Sequence, residues 1–343
     1  MDSLTSQVES ITDKVATDLA YLEDQRLEII QRYSYKTYKR AMAILGVLCV
    51  GTIILLVSFP ALPKVFIAVI PLTGLFAMGY PIYISYHRHN KFKKLQLLLK
   101  AGIYEAFSEA RGFHVRTEPM SPDFFEETYL LRDRRYMKVE TELQLEGTAN
   151  ERPITIAEIK VTGASTTSRS QSSSNRGVIQ FHGPVGTLEM EQSYFPQPVV
   201  IGSKDKIAGS VLIDKAIDGL LGATLSKKVD ELFSSEKVLS QNDTQKKFHD
   251  LFYVVPKDND LVERFLDDSI MNVMVESKLL MTSLDISVVG PNIHVAAYPA
   301  MGLALQYNKP MINREEIKQH VLNLVLVEKI LLYVGGKLAS RMV

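Results

Sequence analysis

Cysteine occurs once, at position 49, so the chain has no intrachain disulfide and no four-cysteine metal site. That usage fits a reducing compartment. Net charge is missing as well. The 39 basic residues balance the 39 acidic ones, so no overall field draws in nucleic acid, and no nucleic-acid partner is expected. The first 30 residues are polar and hold several acids; lacking an apolar core of about 7 to 15 residues, they do not read as a cleaved signal peptide. Catalytic signatures are lacking too. A P-loop needs glycine at a fixed spacing ahead of Gly-Lys-Ser/Thr, so that backbone N–H groups cradle phosphate, and Gly335-Gly336-Lys337-Leu338 does not supply it. There is no HExxH zinc helix, GxSxG nucleophile elbow or EF-hand loop.

Two uncharged runs stand out, 19 residues at 41–59 and 22 residues at 65–86, each close to the roughly 20 residues that cross a hydrocarbon core. They predict a transmembrane helical hairpin over 41–86, with Pro71 and Pro81 as kinks and the lipid bilayer as a partner. Arg32, Lys36, Lys39 and Arg40 precede it, and Arg88, Lys91, Lys93 and Lys94 follow it, whereas the turn between holds only Lys64. The positive-inside rule then places both termini in the cytoplasm of a two-span protein of the bacterial inner membrane. Neither run contains an ionisable residue of the kind that marks an ion or proton pathway.

The flanking segments give the domain boundaries. Residues 1–40 read as a cytoplasmic amphipathic helix, because Val8, Val15, Leu22 and Ile29 recur every seven residues, with Leu4 and Ile11 filling the alternate heptad position before Asp18 and Gln25 interrupt it. Such a line serves either a homo-oligomeric coiled coil or a helix packed on its own domain. Residues 87–112 read as a juxtamembrane stalk helix on Phe92, Leu95, Leu99, Ile103 and Phe107. Residues 113–343 read as a soluble α+β domain with antiparallel strands and helices.

Within that domain Val139, Thr141, Leu143 and Leu145 alternate with polar residues and predict one strand face; a turn over 147–153 leads to a partner strand at 154–161, with Ala157, Ile159 and Val161 on one face. Residues 163–177, rich in Ser and Thr, predict a flexible loop. Short strands are expected at 178–181, 187–190, 199–201 and 248–255, and a hairpin at 285–297. Helices are expected at 211–232 and 313–334, the last stopped by Gly335-Gly336, and helical segments over 261–280. The order of elements resembles an uncharacterised bacterial membrane family, domain of unknown function 3137. The stretches VETELQLEGTANERPITIAEIKV and FHDLFYVVPKDNDLVERFLDDSIMNVMVESKL carry the resemblance, which implies no catalytic motif or site residue.

The candidate chemistry is sparse. Ser203-Lys204-Asp205-Lys206 and Ser234-Ser235-Glu236-Lys237 fit Ser-x-x-Lys, without the companion motifs of a Ser–Lys enzyme. Among seven histidines only His87 and His89 are neighbours, which suits polar anchoring better than metal binding, and His294 falls in a strand as a surface or hydrogen-bonded residue. Asp258, Asp260, Asp267 and Asp268 sit where carboxylates cap helices. No catalytic, metal or cofactor-binding residue is assigned, and no cofactor is expected. The functions expected are, in order, a membrane-anchored partner-binding or scaffold domain, a small oligomeric channel or transport accessory, and a membrane-tethered enzyme.

Overall fold

The computed structural model describes residues 4–33, 40, 43–44, 46–47, 50–51, 54, 69–116, 118, 124–130, 136–163, 178–204, 241–256, 260–299 and 310–341. Its elements run α1 (Leu4–Asp18), α2 (Tyr21–Arg32), α3 (Val69–Arg111), β1 (His114–Arg116), α4 (Phe124–Glu127), β2 (Tyr136–Ala149), β3 (Arg152–Gly163), β4 (Val178–Glu189) and β5 (Val199–Ser203). Then come α5 (Gln241–Leu251), β6 (Phe252–Val255), α6 (Asp260–Phe265), α7 (Asp268–Leu280), β7 (Met281–Val289), β8 (Asn292–Pro299) and α8 (Arg314–Arg341). The fold is α+β, with one eight-stranded antiparallel sheet in the order β1-β2-β3-β4-β8-β7-β5-β6. The chain divides into two compact units, one of residues 1–15, 102–304 and 313–343 that holds the sheet, and one of residues 16–101 and 305–312.

Side chains alternate across the central strands. Ala157, Ile159 and Val161 share a face, as the sequence predicts, and pack with Phe125, Leu130, Phe181, Val185 and Ala296. The opposite face of the sheet lies under α8, where added Cβ atoms would meet side chains at 2.6 Å from Leu331 and Val327 (at Gly186) and 2.7 Å from Leu188 (at Gly335). Close approach of helix and strand therefore needs glycine at both places. This corrects the reading of Gly335-Gly336 as a stop: α8 runs on to Arg341 because Gly335 is a packing residue inside it.

The expected single face of β2 is also corrected. Thr141 and Leu143 oppose the consecutive residues Ile159 and Glu158, so Glu142 is an extra residue, a β-bulge. Upstream of it Val139 packs on the Ala157 side, while downstream Leu145 pairs with Ile156 on the α8 side. The β2–β3 turn is shorter than expected, two residues at Asn150 and Glu151 with φ of 51° and 65°, which is the twist-matched hairpin geometry.

The short strands expected at 178–181 and 187–190 are one continuous β4; β8 pairs only with Val185 to Glu189, so Pro184 has a strand partner on one side alone. Residues 248–251 are helical rather than extended, with Phe248 stacked on Phe252 at 5.2 Å. The helical segments expected over 261–280 are the two helices α6 and α7, divided where Asp267 caps α7 by accepting from the Ile270 N–H at 2.9 Å. Burial raises the Asp267 pKa, but hydrogen bonds from Ser269 and Ile270 and the Arg341 charge outweigh it and hold the carboxyl below its usual range. A cap of this kind contributes about 1 kcal/mol.

The membrane expectation is corrected as well. Among the described residues no helix is long and apolar enough to cross a membrane, so a two-span integral membrane protein is not supported. An uncharged run is not the same as an aliphatic one: residues 69–86 include Pro71, Thr73, Pro81, Ser85, Tyr80, Tyr83 and Tyr86. They open α3, which continues without a break through the charged residues 87–111 of the expected stalk. The run at 41–59 lies mostly outside the described residues, as do Cys49, Lys64, Asp258, the loop at 164–177 and the expected helix at 211–232.

At the N terminus the single expected helix is α1 and α2. Val8, Ile11, Val15, Leu22 and Ile29 are all buried within this one chain. Glu9 reaches Lys318 at 3.3 Å, Asp13 pairs with Arg314, and Gln7 accepts from Arg111 at 3.1 Å.

Candidate metal centre

Three strands and two helices bring one polar cluster together in the sheet-bearing unit. Glu158 lies on β3 among Ile154, Ile156, Ile159 and Val161, and the alternation that sends Ile159 to one core turns Glu158 toward α8. Its side chain is 5% exposed. His182 of β4, paired in register with Lys160, places Nε2 3.2 Å from Glu158 Oε1 and 3.7 Å from Glu142 Oε2. Glu142 reaches the group because a bulge re-aims its side chain; in a regular ladder that residue would not be extra. One ligand atom from each of Glu142, Glu158 and His182 lies within 4.8 Å of the others.

From the helical side α8 contributes His320, whose side chain is 5% exposed, with Nε2 3.2 Å from Glu158 Oε2. That distance is within ion-pair range, although Nε2 has no hydrogen-bond partner. Tyr104 of α3 donates its hydroxyl to the same Oε2 at 3.3 Å. Burial, and then the neighbouring Glu158 and Glu142 carboxylates, push the Tyr104 phenol well above its usual pKa, so it stays a donor.

The electrostatics favour positive charge beside the two carboxylates. At an effective dielectric near 20, two carboxylates at the 4.8 Å limit repel by about 3 to 4 kcal/mol. Buried carboxylates persist where positive charge or a metal compensates them. One imidazole and two carboxylates are a nitrogen and oxygen donor set, suited to zinc and its transition-metal neighbours.

The sequence assigns none of these residues to a metal. It singled out His87 and His89 instead; His87 packs on Tyr83 and Tyr86, with ring centroids 4.2 and 5.6 Å apart. The one available signal was an acid inside an otherwise aliphatic strand, Glu158. Other expected candidates serve structure. Ser203 is fully buried, its hydroxyl donating to the Leu284 carbonyl at 2.8 Å and accepting from the Leu284 N–H at 3.0 Å; Lys206 and the second Ser-x-x-Lys lie outside the described residues. His294 is hydrogen-bonded as expected, to the Thr187 hydroxyl at 2.9 Å, but it is buried, not on the surface.

The other unit has a groove of about 380 Å³ between α2 and α3. Ile29, Leu95 and Leu98 make it apolar, and Arg32, Lys91 and Lys94 make its rim basic against the single acid Glu28. In comparisons with family models, curated proteins and solved structures, the chain matches none of them.

Proposed function

We propose that the sheet-bearing unit is a divalent-metal-binding domain, with Glu142, Glu158 and His182 as ligands. The observation that carries this reading is the convergence of their three ligand atoms within 4.8 Å from strands β2, β3 and β4. Bonds of about 2.0 to 2.2 Å to one tetrahedral ion place ligand atoms about 3.3 to 3.6 Å apart, and the observed 3.2 and 3.7 Å separations bracket that range. Calorimetric titration of the metal-stripped full chain with Zn(II) tests it. One saturable site is expected, weakened at least about 10-fold in Glu158→Gln, since even supporting groups around a metal contribute about 10 to 100-fold. No saturable site, or equal binding by the variant, rejects the reading in favour of imidazolium–carboxylate pairing alone.

A second reading, partner binding, is favoured by the groove of the other unit. Gln25, Glu28, Ile29 and Arg32 form one face of α2, and Lys91, Lys94, Leu95 and Leu98 the same spacing on α3. An acidic amphipathic helix would lay its apolar stripe on the leucines and its acids on the basic rim. A fluorescent amphipathic peptide of Leu, Ala and Glu should bind the full chain, and Lys91→Glu with Lys94→Glu should cut its affinity more than about 10-fold. Equal binding of the same peptide with Lys in place of Glu counts against this reading.

A further inference from the structure

Resting on the metal reading, we infer that Tyr104 is the positioning residue of the site: its hydroxyl holds Oε2 of Glu158 and so assigns Oε1 to the ion. The two oxygens of Glu158 face different neighbours. Oε1 meets a strand residue, with Nε2 of His182 at 3.2 Å. Oε2 meets residues of two helices, the Tyr104 hydroxyl that donates to it at 3.3 Å and Nε2 of His320 at 3.2 Å. A carboxylate can bind a metal through one oxygen or through both, and a hydrogen bond already made to Oε2 favours one.

The place of the hydroxyl in its helix supports this role. Tyr104 is fully buried on α3, and Ile103, Ala106 and Phe107 beside it are buried too. Phenylalanine would fill that apolar site as well, whereas a buried phenol costs free energy unless its hydroxyl finds a partner. The partner is Glu158. The phenol ring also lies against the His320 ring, with centroids 6.1 Å apart, so it is braced from α8 as well as from its own helix. Outer hydrogen bonds that orient a ligating carboxylate contribute about 10 to 100-fold to metal affinity. Without the hydroxyl, Glu158 is free to turn about its last side-chain bond and to present both oxygens to the ion. Tyr104 thus acts through Glu158 and touches no ion itself.

Co(II) titration of the metal-stripped full chain and of Tyr104→Phe, followed by visible absorption, tests the assignment. Band intensity falls as more atoms surround cobalt, so it registers a second Glu158 oxygen. Expected for Tyr104→Phe are an affinity lowered at least about 10-fold and a weaker band at saturation. A merely structural hydrogen bond would lower the urea midpoint of the metal-free chain and leave both readouts alone. An affinity or a saturated band equal to that of the wild type therefore overturns the positioning role and leaves the three-ligand reading standing. No cobalt binding by the wild type removes both. Infrared difference spectra, zinc-loaded minus metal-free, read the same oxygen in the wild type, with the bands of Glu158 identified by their loss in Glu158→Gln. Binding through one oxygen widens the separation of the two carboxylate stretches, and a narrowed separation, the mark of both oxygens on the metal, overturns the assignment.

Discussion

Replacing Arg111 with methionine is expected to destabilise the sheet-bearing unit by about 3 to 5 kcal/mol, the range for stripping one partner from a buried ion pair. Arg111 donates from Nε to Glu328 Oε2 at 3.1 Å and from Nη2 to Oε1 at 2.5 Å, a forked contact in which the Glu328 side chain is 4% exposed. Without the guanidinium, a carboxylate is left uncompensated in the middle of α8. The loss comes from that stranded charge more than from the pair itself, since desolvation offsets much of the attraction. Arg111→Met with Glu328→Leu should therefore recover most of the stability. Urea unfolding of the four chains of this cycle gives the coupling, and a single-variant cost below about 1 kcal/mol would show that Glu328 finds other compensation.

Acid should weaken the fold through His294. Burial pushes its pKa down from 6.5 to about 4, so the folded state holds the imidazole neutral while the unfolded chain protonates it. Below pH 6.5 the unfolded state binds more protons, and stability falls as pH drops toward about 4; above 6.5 this group contributes no pH dependence. The full shift corresponds to about 3 kcal/mol, of which about 2 to 3 is expressed at pH 4.5. His294→Asn removes the titration and retains a polar side chain beside Thr187. Comparing urea unfolding of wild type and variant at pH 7.5 and 4.5 isolates the effect from the carboxylates, which are common to both. An equal pH dependence in the two chains would mean that His294 is protonated in the fold.

Much of the sheet was legible because alternation and turn residues are local signals. The β7–β8 hairpin around Gly290-Pro291, the Ala157 face of β3, the end of α3 at Arg111 and the Asp267 cap all follow from neighbours in sequence. What escaped depended on tertiary contact. The helix α5 is polar apart from Phe248 and Leu251, and Phe248 stacks on Phe252 from a helix where an apolar stretch suggested strand. Gly335 looked like a stop because its lack of a side chain is equally the mark of close packing. The membrane hairpin was inferred from missing charge, and among the described residues no helix has the apolarity to match. The candidate metal centre was illegible for the same reason as α5. Its residues come from β2, β3 and β4, and no spacing along the chain relates Glu142 to His182.

Glu142 acts on β2 as a phase shift acts on a wave. Residues of equal parity on either side of it, Val139 and Leu145, serve opposite faces of the sheet, so the one strand contributes to two separate interiors. Deleting Glu142 would restore an unbroken two-residue rhythm, and the whole upstream half of β2 would have to turn over or slip by one place against β3. Val139 would then leave the side of Phe125 and Val161, and a carboxylate would be lost from beside Glu158. Length at this position is thus as constrained as identity: an insertion or deletion of one residue alters one core and the polar cluster together, whereas a substitution of Glu142 reaches the cluster alone.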